Sequence, residues 1–132
     1  MRNMTKGGRT ALRGIGLVMT AGLSGCLVAA AGGAGGAIAL SGHTAEAIVE
    51  RPVADMASVA EQVMEAEGIS ITDSSSEDSG GKRSFEGKKD DLDVTVTIER
   101  TDAGTKLGVV ARRSAVSWDD DYARALLAKI IA

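Results

Sequence analysis

The sequence predicts an α+β domain in which an antiparallel sheet of four to five strands carries two helices on one face. Three observations predict it. Two stretches, at 53–67 and 122–131, place apolar residues at spacings of three and four, as amphipathic helices do. Two others, at 92–99 and 107–111, alternate strictly between apolar and polar residues, as half-buried strands do. Turn-forming residues separate the stretches, and the predicted order is β-α-β-β-β-β-α.

The first predicted strand covers residues 43–51, where Ala45, Ala47 and Val49 alternate with polar residues and only Ile48 breaks the polar side. Pro52 suits the first position of the helix that follows. The apolar stripe of this helix consists of Val53, Met56, Ala57, Ala60, Val63 and Met64. Gly68 then ends the helix, because glycine tolerates the positive φ of that position.

The middle of the chain is predicted to form two short strands around a loop. Ile69 and Ile71 alternate with polar residues, whereas residues 73–81 (DSSSEDSGG) are small and polar and therefore predict a loop. Residues 82–88 predict a strand with Phe85 facing the core and Gly87 beside it. Residues 89–91 turn the chain.

The last part of the sequence, residues 92–132, predicts a β-hairpin followed by a C-terminal helix. Residues 101–105 connect the two alternating strands, with Gly104 in the left-handed position. Ser117, followed three residues later by Asp120, is typical of a helix start, and Asp119 suits the positive end of the helix dipole. The buried face of this helix is predicted to contain Tyr122, Ala123, Leu126, Leu127, Ile130 and Ile131.

The N-terminal residues have the features of an export signal. Residues 1–13 contain four basic residues and no acidic one, and Gly14 to Leu23 is uncharged. A basic segment followed by a short apolar run is typical of a secretory signal peptide, whose positive flank stays in the cytoplasm. The apolar run ends in Leu23-Ser24-Gly25-Cys26, an aliphatic residue, two small residues and the only cysteine of the chain.

This tetrapeptide resembles the lipobox of bacterial lipoproteins at all four positions. The resemblance implies that the Cys26 thiol is joined to a diacylglycerol, that the chain is cut before it, and that the new amino group is acylated. Several acyl chains hold a protein on a membrane essentially permanently. A buried free cysteine is the alternative; the position and flanks of Cys26 argue against it. From residue 23 to 132 the order of elements is similar to a family of short bacterial lipoproteins of unknown function.

The predicted organisation is a removed signal peptide at 1–25, a lipidated Gly/Ala-rich tether at 26–42 and an extracytoplasmic domain at 43–132. An alternative is a membrane span, because the 27 residues from Gly14 to Leu40 carry no charge and a bilayer core of about 30 Å needs about 20. Eight glycines argue against a helix there; Gly32 and Gly36, spaced for helix packing in lipid, favour it. Leu27 occupies the position where aspartate signals inner-membrane retention, which favours the outer membrane.

Charge and composition limit the partners of the exported chain. The whole chain carries −3, but all 18 acidic residues follow Cys26 while four of the 15 basic ones precede it, so the exported part is near −7. This charge disfavours nucleic acid and phosphate-rich membrane surfaces as partners, because phosphates bind Lys and Arg. A single cysteine also excludes an intramolecular disulfide.

No residue pattern predicts a catalytic or metal site. His43 is the only histidine and is expected to be solvated at the tether junction. Asp90, Asp91 and Asp93 lack the spacing of a calcium loop. Residues 119–121 fit helix capping better than metal binding. The serines within residues 74–79 have no activating base. Trp118 and Tyr122 are interpreted as closing the core, with an exposed anchor for a partner as the alternative. Basic residues at 88, 89, 112 and 113 form either a patch or a solvated strand edge.

The sequence therefore predicts a non-enzymatic protein without cofactor or metal. It is expected to be anchored to membrane lipid through Cys26 at the bacterial cell envelope and to act as an interaction or structural module for an envelope protein. The alternative is a binding module for a small apolar or envelope-derived ligand, held on the open sheet face or between helices and sheet.

Overall fold

A computed structural model describes residues 37–132. The predicted signal peptide, Leu23, Ser24, Gly25 and Cys26 lie outside the described residues, as does the tether up to residue 36. The described elements are β1 (Ala39–Ser41), β2 (Thr44–Val49), α1 (Val53–Ala66), β3 (Ser70–Glu77), β4 (Lys82–Lys89), β5 (Leu92–Thr101), β6 (Gly104–Ser114), β7 (Ser117–Trp118) and α2 (Asp120–Ile131). A 3₁₀ turn, Asp78–Gly80, joins β3 to β4.

The strands form one antiparallel sheet in the order β1-β2-β6-β5-β4-β3. β7 pairs with the end of β6, beyond the last residue of β6 that pairs with β2. The predicted α+β class and the order β-α-β-β-β-β-α are confirmed. The structure adds two short strands, β1 and β7, which the sequence pattern did not indicate.

Both helices cover the same face of the sheet. α2 lies over β2 and β6, α1 lies over β5, β4 and β3, and the two helices contact each other. The predicted stripes supply the core: Val94, Val96 and Ile98 from β5 and Leu126, Leu127 and Ile130 from α2 are at most 2% exposed. The opposite face carries the polar residues of the alternation, so one sheet face is buried and the other faces solvent.

The segment that leads from α1 into β3 lies so close to Gly87 of β4 that an added side-chain atom would force it to move. A Cβ atom there would lie 2.6 Å from Cγ2 of Ile69 and 2.9 Å from the carbonyl oxygen of Ser70. Gly68, with φ of 79°, ends α1 just before this contact. The glycine stop predicted from the sequence is therefore confirmed, and its role is to turn the chain directly from helix into β3.

Three local predictions were wrong. Residues 39–41, assigned to the tether, form β1 and pair with β2. Residues 73–77, predicted as loop, extend β3, because the backbone pairs with β4 whatever the side chains are. Ser117 lies in β7 and does not cap α2; Asp119 does, and its side chain accepts a hydrogen bond from the Tyr122 N–H at 2.9 Å.

Candidate functional site

An apolar groove lies between β1 and α2, where the chain enters the domain. Ile38 and Leu40 form its floor, and the exposed Ala125 and Ala128 of α2 form its wall. Asp121 and Arg124 stand at the rim, 3.8 Å apart. The open volume is about 780 Å³. The alanine side chains of α2 are too small to cover Ile38 and Leu40. These two residues are therefore only half-buried beside the core.

Among residues 37–132, no strand pairs with the outer edge of β1, which borders the groove and carries no charge. Residues 37–41 (AIALS) contain no charged side chain. The opposite edge, β3, is different, because it carries Asp73 and Glu77 and a bulge between Ile71 and Asp73. Charges and bulges on an edge strand prevent pairing with other chains. The edge at β3 is therefore closed to further strands, and the edge at β1 is protected only by its short length.

The hairpin geometry fixes which backbone groups β1 exposes. Gly42 and His43 form a two-residue connection, with Ser41 and Thr44 as the flanking pair. Positive φ at Gly42 (61°) but not at His43 is the pattern of a type II′ turn. In such a hairpin the two flanking residues exchange both of their backbone hydrogen bonds with each other. The backbone N–H and C=O of the next residue along the strand point away from the partner strand. The N–H and C=O of Leu40 consequently face the free edge.

A stacked pair of aromatic rings lies at the end of β1 where the chain turns into β2. The His43 imidazole lies flat on the Trp118 indole, with ring centroids 4.1 Å apart and planes at 3°. Nδ1 of His43 also lies 3.0 Å and 3.2 Å from the two carboxylate oxygens of Asp120. His43 is solvated as expected, with 48% of its side chain exposed, although the sequence did not indicate its two partners. The interpretation of Trp118 as closing the core was wrong. Trp118 is 36% exposed, and Val116 beside it on the hairpin tip is 83% exposed.

A charge network holds the start of α2 in place behind these rings. Arg113 donates to Asp119 at 2.6 Å and to Asp91 at 2.8 Å. The Tyr122 N–H and then Arg113 lower the pKa of Asp119 below its ordinary value. The pKa of Arg113 is raised by the same contacts, Asp119 first. The β6–β7 hairpin, the β4–β5 turn and the α2 N-terminus are thereby joined.

The other predicted basic residues mostly have partners as well. Lys88 contacts Asp93 at 2.5 Å, which lowers the pKa of Asp93, and Lys89 lies 5.8 Å from the Tyr122 ring centroid. Arg112 is exposed and makes no ion pair with residues 37–132. A continuous basic patch therefore does not form among these residues. Arg112 and Lys89 are the two of the four that make no ion pair with residues 37–132, and Lys89 lies against the Tyr122 ring.

Among residues 37–132 the side chains at this end form one histidine–carboxylate pair. This pair consists of His43 and Asp120, but within residues 37–132 no hydroxyl or thiol bonds to the imidazole, as nucleophilic catalysis would need. The aspartates at 90, 91 and 93 lie in a turn and at the start of β5, as predicted. In the same part of the chain no three His, Cys, Asp or Glu side chains converge to hold a metal ion.

The outer face of the sheet offers a second, shallower surface. Its middle consists of small uncharged residues, Thr95, Thr97, Gly108 and Val110 among them, while charged pairs such as Glu46–Lys106 (3.3 Å) lie toward its ends. The hollow at Gly108 measures about 220 Å³. Since this hollow is much smaller than the groove beside β1 and its Glu46 and Lys106 are already paired with each other, the face has less capacity for a specific partner.

None of the helices between residues 37 and 132 has the length and apolar character needed to cross a membrane. No protein-family model matches the chain, and no curated protein matches it either.

Proposed function

We propose that this chain is a lipid-anchored protein of the bacterial cell envelope whose domain binds a partner protein along β1 and the adjoining groove. The observation that carries the proposal is the uncharged, free edge of β1 beside an apolar groove. Backbone groups of an edge strand give affinity to an added strand, and a neighbouring pocket for alternate side chains gives specificity. The partner segment is therefore an extended peptide with an apolar side chain at alternate positions.

The position of the edge also supports the anchor. β1 begins only 13 residues after Cys26, so a lipid on Cys26 would keep the binding edge near the membrane. Within residues 37–132 the domain completes its own core, and the polar outer face of its sheet needs no cover. A tethered module that presents one edge is consistent with both features. It acts without catalysis and without a cofactor.

The first experiment measures the intact mass of the membrane-extracted protein, wild type beside Cys26→Ala. The expected wild-type mass is that of residues 26–132 plus acyl chains, and the variant is expected to lose this modification. An unmodified full-length wild-type mass would refute the anchor. It would then favour a span that begins near Gly14, although residues 39–41 belong to β1 and cannot be part of it.

A second experiment tests the binding edge. A photo-crosslinking amino acid is placed at Ala128, in the groove, and in a matched variant at Ala66, which is equally an exposed helical alanine but lies at the end of α1. Crosslinking in cells is expected to give one defined protein adduct from position 128 and none from position 66. Equal adducts from both positions, or none from either, would contradict a binding edge at β1.

A small apolar ligand is the second candidate, because the groove volume of about 780 Å³ would accommodate a lipid-sized molecule. Native mass spectrometry of the extracted protein distinguishes the two. A retained mass that disappears in an Ala128→Arg variant, but persists in Ala66→Arg, would favour the ligand over the protein partner.

A further inference from the structure

We infer that the β6–β7 hairpin tip, with Val116, Trp118 and Arg112, is a second membrane contact that inserts into the lipid interface and orients the anchored domain. The inference rests on the proposed lipid anchor. The tip consists of a two-residue connection, Ala115–Val116, between Ser114 and Ser117. Val116 is 83% and Trp118 36% exposed.

The chemistry of the tip suits a membrane surface. Tryptophan prefers the membrane–water interface, because its large ring is apolar and its N–H remains hydrated. Arg112 is the cross-strand partner of Trp118, so the two side chains share one face of the hairpin. The carboxylate of Asp93, opposite Arg112 on β5, is paired with Lys88. Arg112 makes no ion pair with the described residues, so its guanidinium is available to a lipid phosphate.

Shape favours lipid over a protein partner. A protein interface of ordinary size buries about 800 Å² on each side, and its anchors usually fill pockets. The tip instead presents two apolar side chains, Val116 on the turn itself and Trp118 two residues further on in β7. The stacking of Trp118 on His43 keeps its indole in one orientation, so little side-chain freedom remains to be lost on insertion.

The proposed tether is long enough for this orientation. Eleven residues lead from Cys26 to Ala37, and a chain of that length reaches at most about 40 Å. The strand register places Ala39 level with Gly108 of β6, seven residues before Ala115 at the tip, and Ala37 precedes Ala39 by two residues. Nine residues at about 3.3 Å each put Ala37 about 30 Å from the tip along the strands. The lipid on Cys26 and the tip can therefore meet the same bilayer. Most carboxylates at this end are already paired: Asp91 and Asp119 with Arg113, Asp93 with Lys88, and Asp120 with His43. Asp90, in the β4–β5 turn, is exposed and makes no ion pair with residues 37–132.

The test uses Trp118 itself, since the chain has one tryptophan. The membrane-extracted full-length product is reconstituted into phosphatidylcholine vesicles that carry bromine atoms on the acyl chains, and tryptophan fluorescence is measured. The matched control, Trp118→Phe with Ala103→Trp, moves the only tryptophan to the exposed tip of the β5–β6 hairpin at the other end of β6. Bromolipids are expected to quench Trp118 about twofold and to leave the control unquenched, because only an interfacial indole approaches the acyl chains.

Several outcomes would overturn the inference. Equal quenching of both proteins would mean that the anchored domain has no fixed orientation. No quenching of Trp118, with full access to acrylamide, would mean that the tip stays in water. Shielding from acrylamide in native membranes but not in pure lipid vesicles would assign the tip to a protein partner. If neither protein floats with the vesicles, the lipid anchor itself fails, and this inference fails with it. A Val116→Asp variant is expected to lose the quenching with an unchanged Tm, whereas Ala103→Asp keeps it.

Discussion

Substitution of Gly87 by alanine tests how closely α1 and β3 pack on β4. The added Cβ would lie 2.6 Å from the Ile69 side chain and 2.9 Å from a backbone oxygen of Ser70, so one of the two must move. Overpacking of this kind costs about 1–3 kcal/mol. Replacing a strand glycine by alanine recovers about 0.5–1 kcal/mol through the unfolded state. The two ranges leave an expected net loss of about 0–2.5 kcal/mol with a midpoint of about 1 kcal/mol, which corresponds to a Tm lower by about 4–8 °C in a domain of this size.

Gly108→Ala is the matched control. Gly108 lies on the solvent face of β6, where an added Cβ would meet only the methyl group of Thr44, at 3.2 Å. The Thr44 side chain can adjust, so Tm is expected to stay within about 4 °C of the wild type, the shift produced by less than 1 kcal/mol. Thermal unfolding of the extracted protein, followed by circular dichroism, measures both variants. If Gly87→Ala and Gly108→Ala unfold at the same temperature, the close packing of Ile69 and Ser70 on β4 is refuted.

Two further predictions concern the hairpin end of the domain. In a double-mutant cycle with His43→Ala and Trp118→Ala, urea unfolding is expected to give a coupling of about 0.5–1.5 kcal/mol, the range of aromatic pairs, and zero coupling would refute the stack. The pKa of Asp119 is lowered in the fold, so its contribution to stability is complete above the ordinary value of 3.8 and is lost as the pH falls below it. Asp119→Asn keeps a capping oxygen but cannot titrate, so its free energy of unfolding is expected to fall less steeply below that pH than the wild type's; parallel curves would contradict this cause. Asp119→Ala should lose about 1 kcal/mol at neutral pH, because it removes the cap.

The fold was predictable because its main signals are local in sequence. Strict alternation in residues 92–99 determines which side chains face the core, and Gly68 ends α1 through its own backbone freedom. β3 was predicted too short because a strand can be stabilised by its neighbour alone. Residues 73–77 have the composition of a loop, yet β4 supplies their hydrogen-bond partners. A single sequence shows composition, but it does not show which strand lies alongside.

The candidate site was not predictable, because its contacts join residues that are far apart in the chain. His43 and Asp120 are separated by 77 positions, and no pattern within either segment indicates the other. The pairing follows from β7, which lies beside β6 just beyond the first residues of β2. This position brings Trp118 to the turn of the first hairpin. Two strands of two and three residues therefore build the binding edge and its aromatic end. Strands this short leave no periodic signal in a sequence.

The two proposals together impose a direction on any partner. If the hairpin tip rests on the membrane, the strands of the sheet stand upright on it, because the tip lies at one end of β6. The uncharged edge of β1 then runs along the membrane normal, and an added strand must do the same. A segment that rises directly from the bilayer, such as the tether of another anchored protein, meets this requirement. A peptide lying flat on the surface does not. The charged and bulged edge at β3 leaves β1 as the edge on which such a strand can add.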